Sequence, residues 1–364
     1  MARHLPALRL AFAATLALVW GTMAEEPLPG LTAVLAAQIL VGMHRPPRPG
    51  QAAALVAVIV ATGGAAYAVS ATFGDRLLIL MTALGLLFFL GFAMRERAAG
   101  RPSLPATMLL NATAVVPVLT FQADILGAGV IETLVTAAVR AILVVWLLYA
   151  LLPAPREEAP TGAPAGAAPT GTPATEQRRA TRTLAKVAIV LPAQLFYLAE
   201  PTALAFPALL GLVTFLSAQD PTAGRTQLVI LLLGNLVGSV AAAAASGVLE
   251  IGPPLPALAL MALLGSLGFA GWIMTQGRRP GGAVALTGLV TFLMLFGLSA
   301  SPLPFEVPVL DRIADIGLLS LYTIGATELL LPPPQPLAAM DGSLTTRVSD
   351  SEQLAAAIQG TRVK

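Results

Sequence analysis

Long apolar stretches separated by short polar segments run along most of the chain. A membrane-spanning helix needs about 20 mostly apolar residues, with a lower limit near 17. Twelve stretches are candidates, six in each half: 7–23, 29–43, 52–72, 77–94, 104–121 and 128–152, then 183–199, 202–217, 226–247, 255–274, 283–299 and 309–331. The first two in each half are short, so each such pair is either two short spans or a hairpin that turns at Glu26-Pro27 or Glu200-Pro201. The pattern predicts an all-α integral membrane protein with about twelve transmembrane helices.

The two halves of the chain repeat each other. The run Met81-Thr82-Ala83-Leu84-Gly85-Leu86-Leu87 recurs as Met261-Ala262-Leu263-Leu264-Gly265-Ser266-Leu267, at an offset of 180. Glu26-Pro27 recurs as Glu200-Pro201 at an offset of 174. The chain therefore reads as two tandem six-helix copies of one membrane unit, and an even number of spans in each copy makes them parallel. Tandem membrane repeats are mainly a transporter architecture, with the substrate site where the halves meet.

The repeat also divides the chain into domains. Residues 1–152 form the first six-helix repeat and residues 182–332 the second. Residues 153–181 are rich in Pro, Ala, Gly and Thr without an apolar period, which is typical of a flexible linker. Residues 333–364 are mostly polar and read as a tail.

Composition excludes several classes of protein. Charged residues make up 11% of the chain and the mean hydropathy is +0.81, whereas a soluble domain carries about 25% charged residues. There are no cysteines, and the two histidines, His4 and His44, lie at membrane edges. Disulfides are excluded, and a histidine-based metal site or catalytic triad is not expected. No phosphate loop or nucleophile elbow is present, so we expect neither an enzyme nor a cofactor or metal.

The basic residues predict the orientation of the spans. If the N-terminus is cytoplasmic, 18 of the 21 Lys and Arg residues lie on the cytoplasmic side, the exceptions being Arg76, Arg140 and Arg312. By the positive-inside rule both termini and the linker are cytoplasmic. Arg greatly outnumbers Lys, and Ala, Gly and Pro are abundant, a bias that suggests a bacterium with a GC-rich genome. The basic residues lie at membrane edges, so they indicate topology rather than nucleic-acid binding.

The start of the chain also resembles a secretory signal peptide, with Arg3 and Arg9 before an apolar run and small residues before Glu25. Residues 7–30 correspond to 181–204, which lie in the middle of the chain. We therefore expect a retained first helix.

Arg140 is the strongest candidate for a functional residue. It lies near the centre of the sixth span, and an ionisable group at that depth costs about 2.5–3.5 kcal/mol, so it marks a functional site by default. Thr136 lies one turn away on the same face. The equivalent span of the second half carries Asp315, which could face Arg140 near the midplane. We expect an anion site at Arg140 with Asp315 as counter-ion and proton carrier, or alternatively a structural ion pair between the halves.

Other polar residues within spans have weaker claims. Glu132, Asp311 and Arg312 lie within a turn or two of the outer interface and are candidates for proton coupling or for structural ion pairs. Asn111 and Asn235 are candidate substrate contacts, although such side chains often only bind neighbouring helices. Pro117 would kink the fifth span and free a carbonyl group.

An arrangement of short motifs resembles a known family. An Arg-Leu-Ala start to the first span, here Arg9-Leu10-Ala11, is followed by an acidic-proline turn and a second short span. The third span of the second half carries a Gly-x-x-x-Gly-small pattern, Gly234-Asn235-Leu236-Val237-Gly238-Ser239. The chain resembles the fusaric acid resistance/aromatic acid exporter family of bacterial inner-membrane proteins, and more narrowly its short, all-membrane relatives. The resemblance covers both membrane units.

The resemblance implies efflux of small, often aromatic, carboxylic acids, driven by the proton gradient. It also implies a periplasmic membrane-fusion protein as partner. The larger exporters have a cytoplasmic domain after the sixth span, and here the short linker takes that place. The family offers no catalytic residues to carry over.

Two other functions stay open. A major-facilitator carrier also has two parallel six-helix halves, but the expected Gly-x-x-x-Asp-Arg-like loop is replaced by His44-Arg45-Pro46-Pro47-Arg48-Pro49-Gly50. A non-transporting scaffold or accessory subunit would account for the small number of buried charges. The lipid bilayer and a small organic anion are the expected partners, and a homo-oligomer is possible.

Overall fold

The computed structural model describes residues 5–43, 45–98, 103–122, 129–153, 173–199, 206–217, 222–249, 254–277, 279–301 and 309–330. Within these ranges the chain is all-helical, which confirms the predicted fold class. The helices are α1 (Leu5–Met23), α2 (Pro29–Gly42), α3 (Pro49–Phe73), α4 (Leu77–Arg97), α5 (Leu104–Gln122), α6 (Gly129–Leu151), α7 (Pro173–Ala199), α8 (Phe206–Ser217), α9 (Thr222–Leu249), α10 (Pro254–Gln276), α11 (Pro280–Ser299) and α12 (Val309–Leu330).

Eight of these helices are long and apolar enough to cross a membrane: α1, α3, α4, α6, α7, α9, α10 and α11. At about 1.5 Å per residue, the 14 residues of α2 and the 12 of α8 extend only about 21 and 18 Å. Both are shorter than the hydrocarbon core of a bilayer, which is about 30 Å thick. The structure therefore supports a multi-pass membrane protein, and the number of twelve full spans stays a prediction.

Helix α7 extends into the segment that the sequence predicts as a flexible linker. The sequence assigned residues 173–181 to the flexible linker, but α7 begins at Pro173 and continues without interruption into its apolar part. Proline is well tolerated at the first helical position, and the following Ala, Glu, Gln and Arg residues are good helix formers. The rest of the predicted linker, residues 154–172, and the predicted tail lie outside the described residues.

The helices of the two halves pack against each other in matching pairs. Between the halves, α1 contacts α10 and α2 contacts α11, while α4 contacts α7 and α5 contacts α8. Within the halves, α3 contacts α5 and α6, as α9 contacts α11 and α12. The largest buried apolar cluster joins residues of both halves, including Leu18, Ala37, Leu289 and Phe296.

The contact between α2 and α11 depends on glycine. A Cβ added to Gly30 would lie 2.4 Å from the carbonyl oxygen of Leu293, and one added to Gly297 would lie 2.5 Å from the nitrogen of Gly30. Small residues let helix backbones approach closely in membranes. The two halves therefore meet backbone against backbone near the start of α2.

The outward surface of the bundle is apolar. Along α9 the exposed side chains include Val229, Leu232, Leu233, Leu236, Val237 and Val240. Large exposed apolar surfaces on a water-soluble protein would be unstable, whereas in a bilayer such side chains lie in hydrocarbon. This surface is consistent with lipid contact around the helices.

Candidate functional site

Arg140 lies at the middle of α6 and forms an ion pair with a residue that the sequence did not assign to it. Its Nη1 donates to Oε1 of Glu26, in the turn between α1 and α2. The Glu26 side chain is 6% exposed and that of Arg140 is 21% exposed. A buried carboxylate is stable only when it is paired and hydrogen-bonded, so each residue accounts for the burial of the other.

The second oxygen of Glu26 also has a partner. Thr32, in the first turn of α2, donates its hydroxyl to Oε2 at 2.8 Å. The backbone N–H of Glu26 donates to the carbonyl of Gly21 at 2.9 Å. A Cβ at Gly21 would lie 2.7 Å from Oε2, so glycine is needed there to make room for the carboxylate. The carboxylate is thus held from α1, α2 and α6 together.

The turn that carries Glu26 is locally strained. Glu25 has a φ of 52°, a left-handed conformation that non-glycine residues rarely adopt. On the other side of the turn, Ser301 donates its hydroxyl to the carbonyl of Pro27 at 2.8 Å. This bond ties the turn of the first half to the end of α11 in the second half.

An aromatic ring lies beside the cation. The Arg140 guanidinium lies 5.9 Å from the centre of the Trp20 ring on α1. A guanidinium within about 6 Å of an indole face is attracted by the ring quadrupole. Trp20 therefore helps to hold the positive charge at this position.

A pocket lies next to the turn, at the ends of α1, α9, α10 and α11. Its volume is about 480 Å³, within the range of roughly 300–1,000 Å³ typical of small-molecule sites. Its lining combines hydroxyl and apolar side chains: Thr22, Ser246, Ser299, Ser301, Leu249, Leu255, Leu258 and Ala300. Through Thr22 and Ser301 the pocket borders the same turn whose Glu26 contacts Arg140. Such a lining suits a molecule with an apolar body and a few polar groups.

Three other predicted site residues of the first half lie on the described helices α5 and α6. Thr136 lies four residues before Arg140 on α6 and is half-buried. Glu132 is exposed, in the first turn of the same helix. Asn111 is half-buried on α5, the helix that also contains Pro117.

The residues of α12 do not test the predicted pairing with Arg140. The backbone of α12 packs against α7, α8 and α9. The side chains of Asp311, Arg312 and Asp315 lie outside the described residues. The pairing of Arg140 with Asp315 therefore stays a prediction, while Glu26 is the partner that the structure gives Arg140.

Asn235 lies in a separate polar contact of the second half. Its Oδ1 accepts a hydrogen bond from the Thr291 hydroxyl at 2.6 Å, joining α9 to α11. Its Nδ2 and the hydroxyl of Ser239, one turn further along α9, are buried without a hydrogen-bond partner among the described residues. α6 packs on α1, α2, α3 and α5, whereas α9 packs on α8, α10, α11 and α12, and the predicted contact of Asn235 with substrate stays a prediction.

A second buried ion pair joins the halves elsewhere. Lys186 on α7 donates to Oε1 of Glu96 on α4 at 2.5 Å, and the two side chains are 2% and 9% exposed. Phe92, one turn before Glu96, places its ring 5.7 Å from the Lys186 nitrogen. The pair has no neighbouring pocket among those described, so we interpret it as a packing contact between the halves.

The sequence could have indicated Glu26 through one signal. Glu26-Pro27 and Glu200-Pro201 are the same dipeptide at equivalent turns of the two halves.

Within the described residues no group of three or more His, Cys, Asp or Glu side chains could hold a metal ion.

Comparison with known proteins gives one match. Residues 6–148 match a family described as "Protein of unknown function (DUF2955)". The match covers α1 to most of α6, the part of the chain that contains both Glu26 and Arg140. No curated protein and no solved structure matches the chain. The predicted resemblance to the fusaric acid resistance group is therefore not confirmed.

Proposed function

We propose that this protein is a bacterial inner-membrane transporter that exports small organic acids, with Arg140 as the group that binds the carboxylate. The observation that carries the proposal is a half-buried arginine at the middle of an apolar helix, paired with Glu26 in a turn that borders a pocket of about 480 Å³. A guanidinium offers N–H donors in a fork that matches a carboxylate. Leucine side chains in the pocket would contact the apolar or aromatic body of the same molecule.

The packing of the helices supports the transporter architecture. Each helix pair between the halves has its counterpart with the halves exchanged: α1 with α10 and α7 with α4, α2 with α11 and α8 with α5. Two parallel six-helix repeats related by a pseudo-two-fold axis would produce this exchange. In transporters of that kind the substrate site lies at the repeat interface, and α2, whose turn carries Glu26, packs on α11 of the other half.

The orientation of the protein in the membrane and the driving force of export are inferred as follows. The distribution of basic residues supports cytoplasmic termini. In that orientation the α1–α2 turn and its pocket face the periplasm, where a membrane-fusion protein would continue the export path. Coupling to the proton gradient is part of the proposal, since the ion pair contains a carboxylate that can bind a proton.

A scaffold or accessory subunit is the second candidate. Arg140 is already neutralised by Glu26, as it would be in a purely structural ion pair. In that case removal of either charge would change stability and assembly, and no transport activity would be affected.

Efflux from cells that lack their own pumps tests the proposal. Wild type, Arg140→Ala and Arg140→Lys are compared at matched membrane levels, using fusaric and hydroxybenzoic acids with and without a protonophore. Arg45→Ala is the control, because it removes an exposed arginine far from the pocket lining. We expect wild type and control to lower accumulation, the protonophore to abolish this, and Arg140→Ala to fail.

Two results would contradict the proposal. If wild type leaves the accumulation of every acid unchanged, even with a candidate periplasmic partner co-expressed, the substrate class is wrong. If Arg140→Ala exports as well as wild type, Arg140 is not the anion site.

A further inference from the structure

The carboxylate of Glu26 lies where the carboxylate of a substrate would have to bind. Arg140 is the half-buried cation of the proposed site, and its Nη1 already donates to Oε1 of Glu26. The other Glu26 oxygen is taken by Thr32. An organic anion that binds Arg140 in the same way must therefore displace Glu26 or share the guanidinium with it.

Sharing the guanidinium would leave an excess of negative charge. Two carboxylates beside one arginine carry a net charge of −1 in a buried place, which is strongly unfavourable. The charged and titratable groups around Glu26 in the described residues are few: Arg140 from α6 and the exposed Glu25 in the turn itself. Thr32 from α2, Trp20 from α1 and Ser301 after α11 add no charge. No second described cation compensates, so one of the two carboxylates has to be neutral.

The position of Glu26 allows it to leave Arg140. It lies on a turn rather than within a helix, next to the strained Glu25, and the turn borders the pocket through Thr22 and Ser301. Ser301 of the pocket lining binds the carbonyl of Pro27, the residue that follows Glu26, so the turn is joined to the pocket while the carboxylate itself is buried.

We propose that Glu26 is an internal competitor for Arg140, which an organic carboxylate replaces when Glu26 binds a proton. This inference rests on the proposed function and names the residue that controls access to its anion site. Glu26 as carboxylate holds Arg140. A proton from water on the pocket side neutralises Glu26, and the substrate anion takes its place on the guanidinium. Loss of that proton returns Glu26 to Arg140 and releases the substrate anion.

Binding by the purified full-length protein tests the proposal. The probe is hydroxybenzoate, and its Kd is measured in lipid nanodiscs over a series of pH values. In wild type each bound anion takes up one proton, so binding tightens by about tenfold for each unit that the pH falls, while Glu26 is ionised in the free protein. In Glu26→Gln the competitor has no charge, so the Kd is independent of pH and lower than that of wild type at high pH.

Two variants serve as controls. Glu96→Gln removes the carboxylate of the other buried ion pair and keeps the pH dependence of wild type. Arg140→Ala loses binding at every pH. Since Glu26→Gln could fold poorly, wild type is a second test by itself: a Kd that does not change with pH overturns the role of Glu26.

The outcomes separate the two proposals. If wild type binds and Glu26→Gln keeps the same pH dependence or binds more weakly, the role of Glu26 is overturned and the exporter proposal stands. If wild type binds none of the acids in the export panel, the substrate class fails and the role of Glu26 fails with it.

Discussion

Arg140 and Glu26 are 114 positions apart in the chain and form an ion pair between α6 and the α1–α2 turn. The sequence alone identifies Arg140 as a candidate, because it is a charge within an apolar segment, but it does not identify Glu26 as its partner. It also fixes the depth of the turn relative to α6. The two residues therefore act as one unit of the site.

The two residues should be energetically coupled. In Arg140→Met the Glu26 carboxylate stays buried without its cation, so we expect a loss of about 1–3 kcal/mol in the free energy of unfolding, less than for a fully buried pair because Arg140 is partly exposed. The double variant Arg140→Met/Glu26→Gln should recover at least half of this loss. Denaturation in detergent measures the cycle, and strictly additive effects would contradict the coupling.

Gly30→Ala should weaken the contact between the halves. The added methyl group would meet the Leu293 carbonyl on α11, and overpacking of this kind costs about 1–3 kcal/mol. Gly50 is a matched control, because it also follows a proline at the start of a helix, Pro49, and has nothing within 4 Å of an added Cβ. Gly50→Ala should be neutral or slightly stabilising. Thermal unfolding of both variants is the measurement, and equal midpoints would refute the close approach.

Arg9 should stabilise the end of α6. Its Nε and Nη2 donate to the Leu152 carbonyl at 3.1 and 2.8 Å, and its guanidinium lies 4.3 Å from the centre of the Tyr149 ring. Lysine keeps the charge but not the planar fork, so we expect Arg9→Lys to cost about 1–2 kcal/mol. Arg45→Lys, at an exposed position, should cost nothing measurable. A melting temperature for Arg9→Lys equal to that of wild type would show that charge alone is sufficient.

The depth of the α1–α2 pair can be measured directly, because the chain contains no cysteine. Ala24→Cys and Arg45→Cys place single thiols at exposed positions on either side of α2. If α2 crosses the membrane, a membrane-impermeant maleimide added to intact cells labels the first and not the second. Labelling of neither thiol from outside would indicate a re-entrant hairpin that enters from the cytoplasm.

Helix bounds followed closely from the sequence where apolar length decides them. The interval 77–94 became α4 at Leu77–Arg97, and 128–152 became α6 at Gly129–Leu151. The start of α7 was not predicted, because residues 173–181 are polar but are good helix formers, and the helix includes them although the sequence assigned them to the linker. An apolar count measures burial in lipid and not helix propensity.

The candidate site was only half predictable. Arg140 stands out because a charge in an apolar segment is costly wherever that segment packs. Its partner depends on which helices touch, and a sequence of two similar halves allows several pairings. Glu26 lies in a turn, where a carboxylate is ordinary, so its burial by Thr32 and Gly21 could be seen only in three dimensions.

The pairing of α1 with α10 and of α2 with α11 has a consequence for biosynthesis. α1 ends at Met23 and α10 begins at Pro254, so more than 200 residues separate them. At about 5–20 residues per second, the ribosome needs roughly 10 to 50 seconds to make that stretch. During this time α1 and α2 lie in the membrane without α10 and α11, so the surfaces that those two helices later cover are open to insertion chaperones and quality-control proteases.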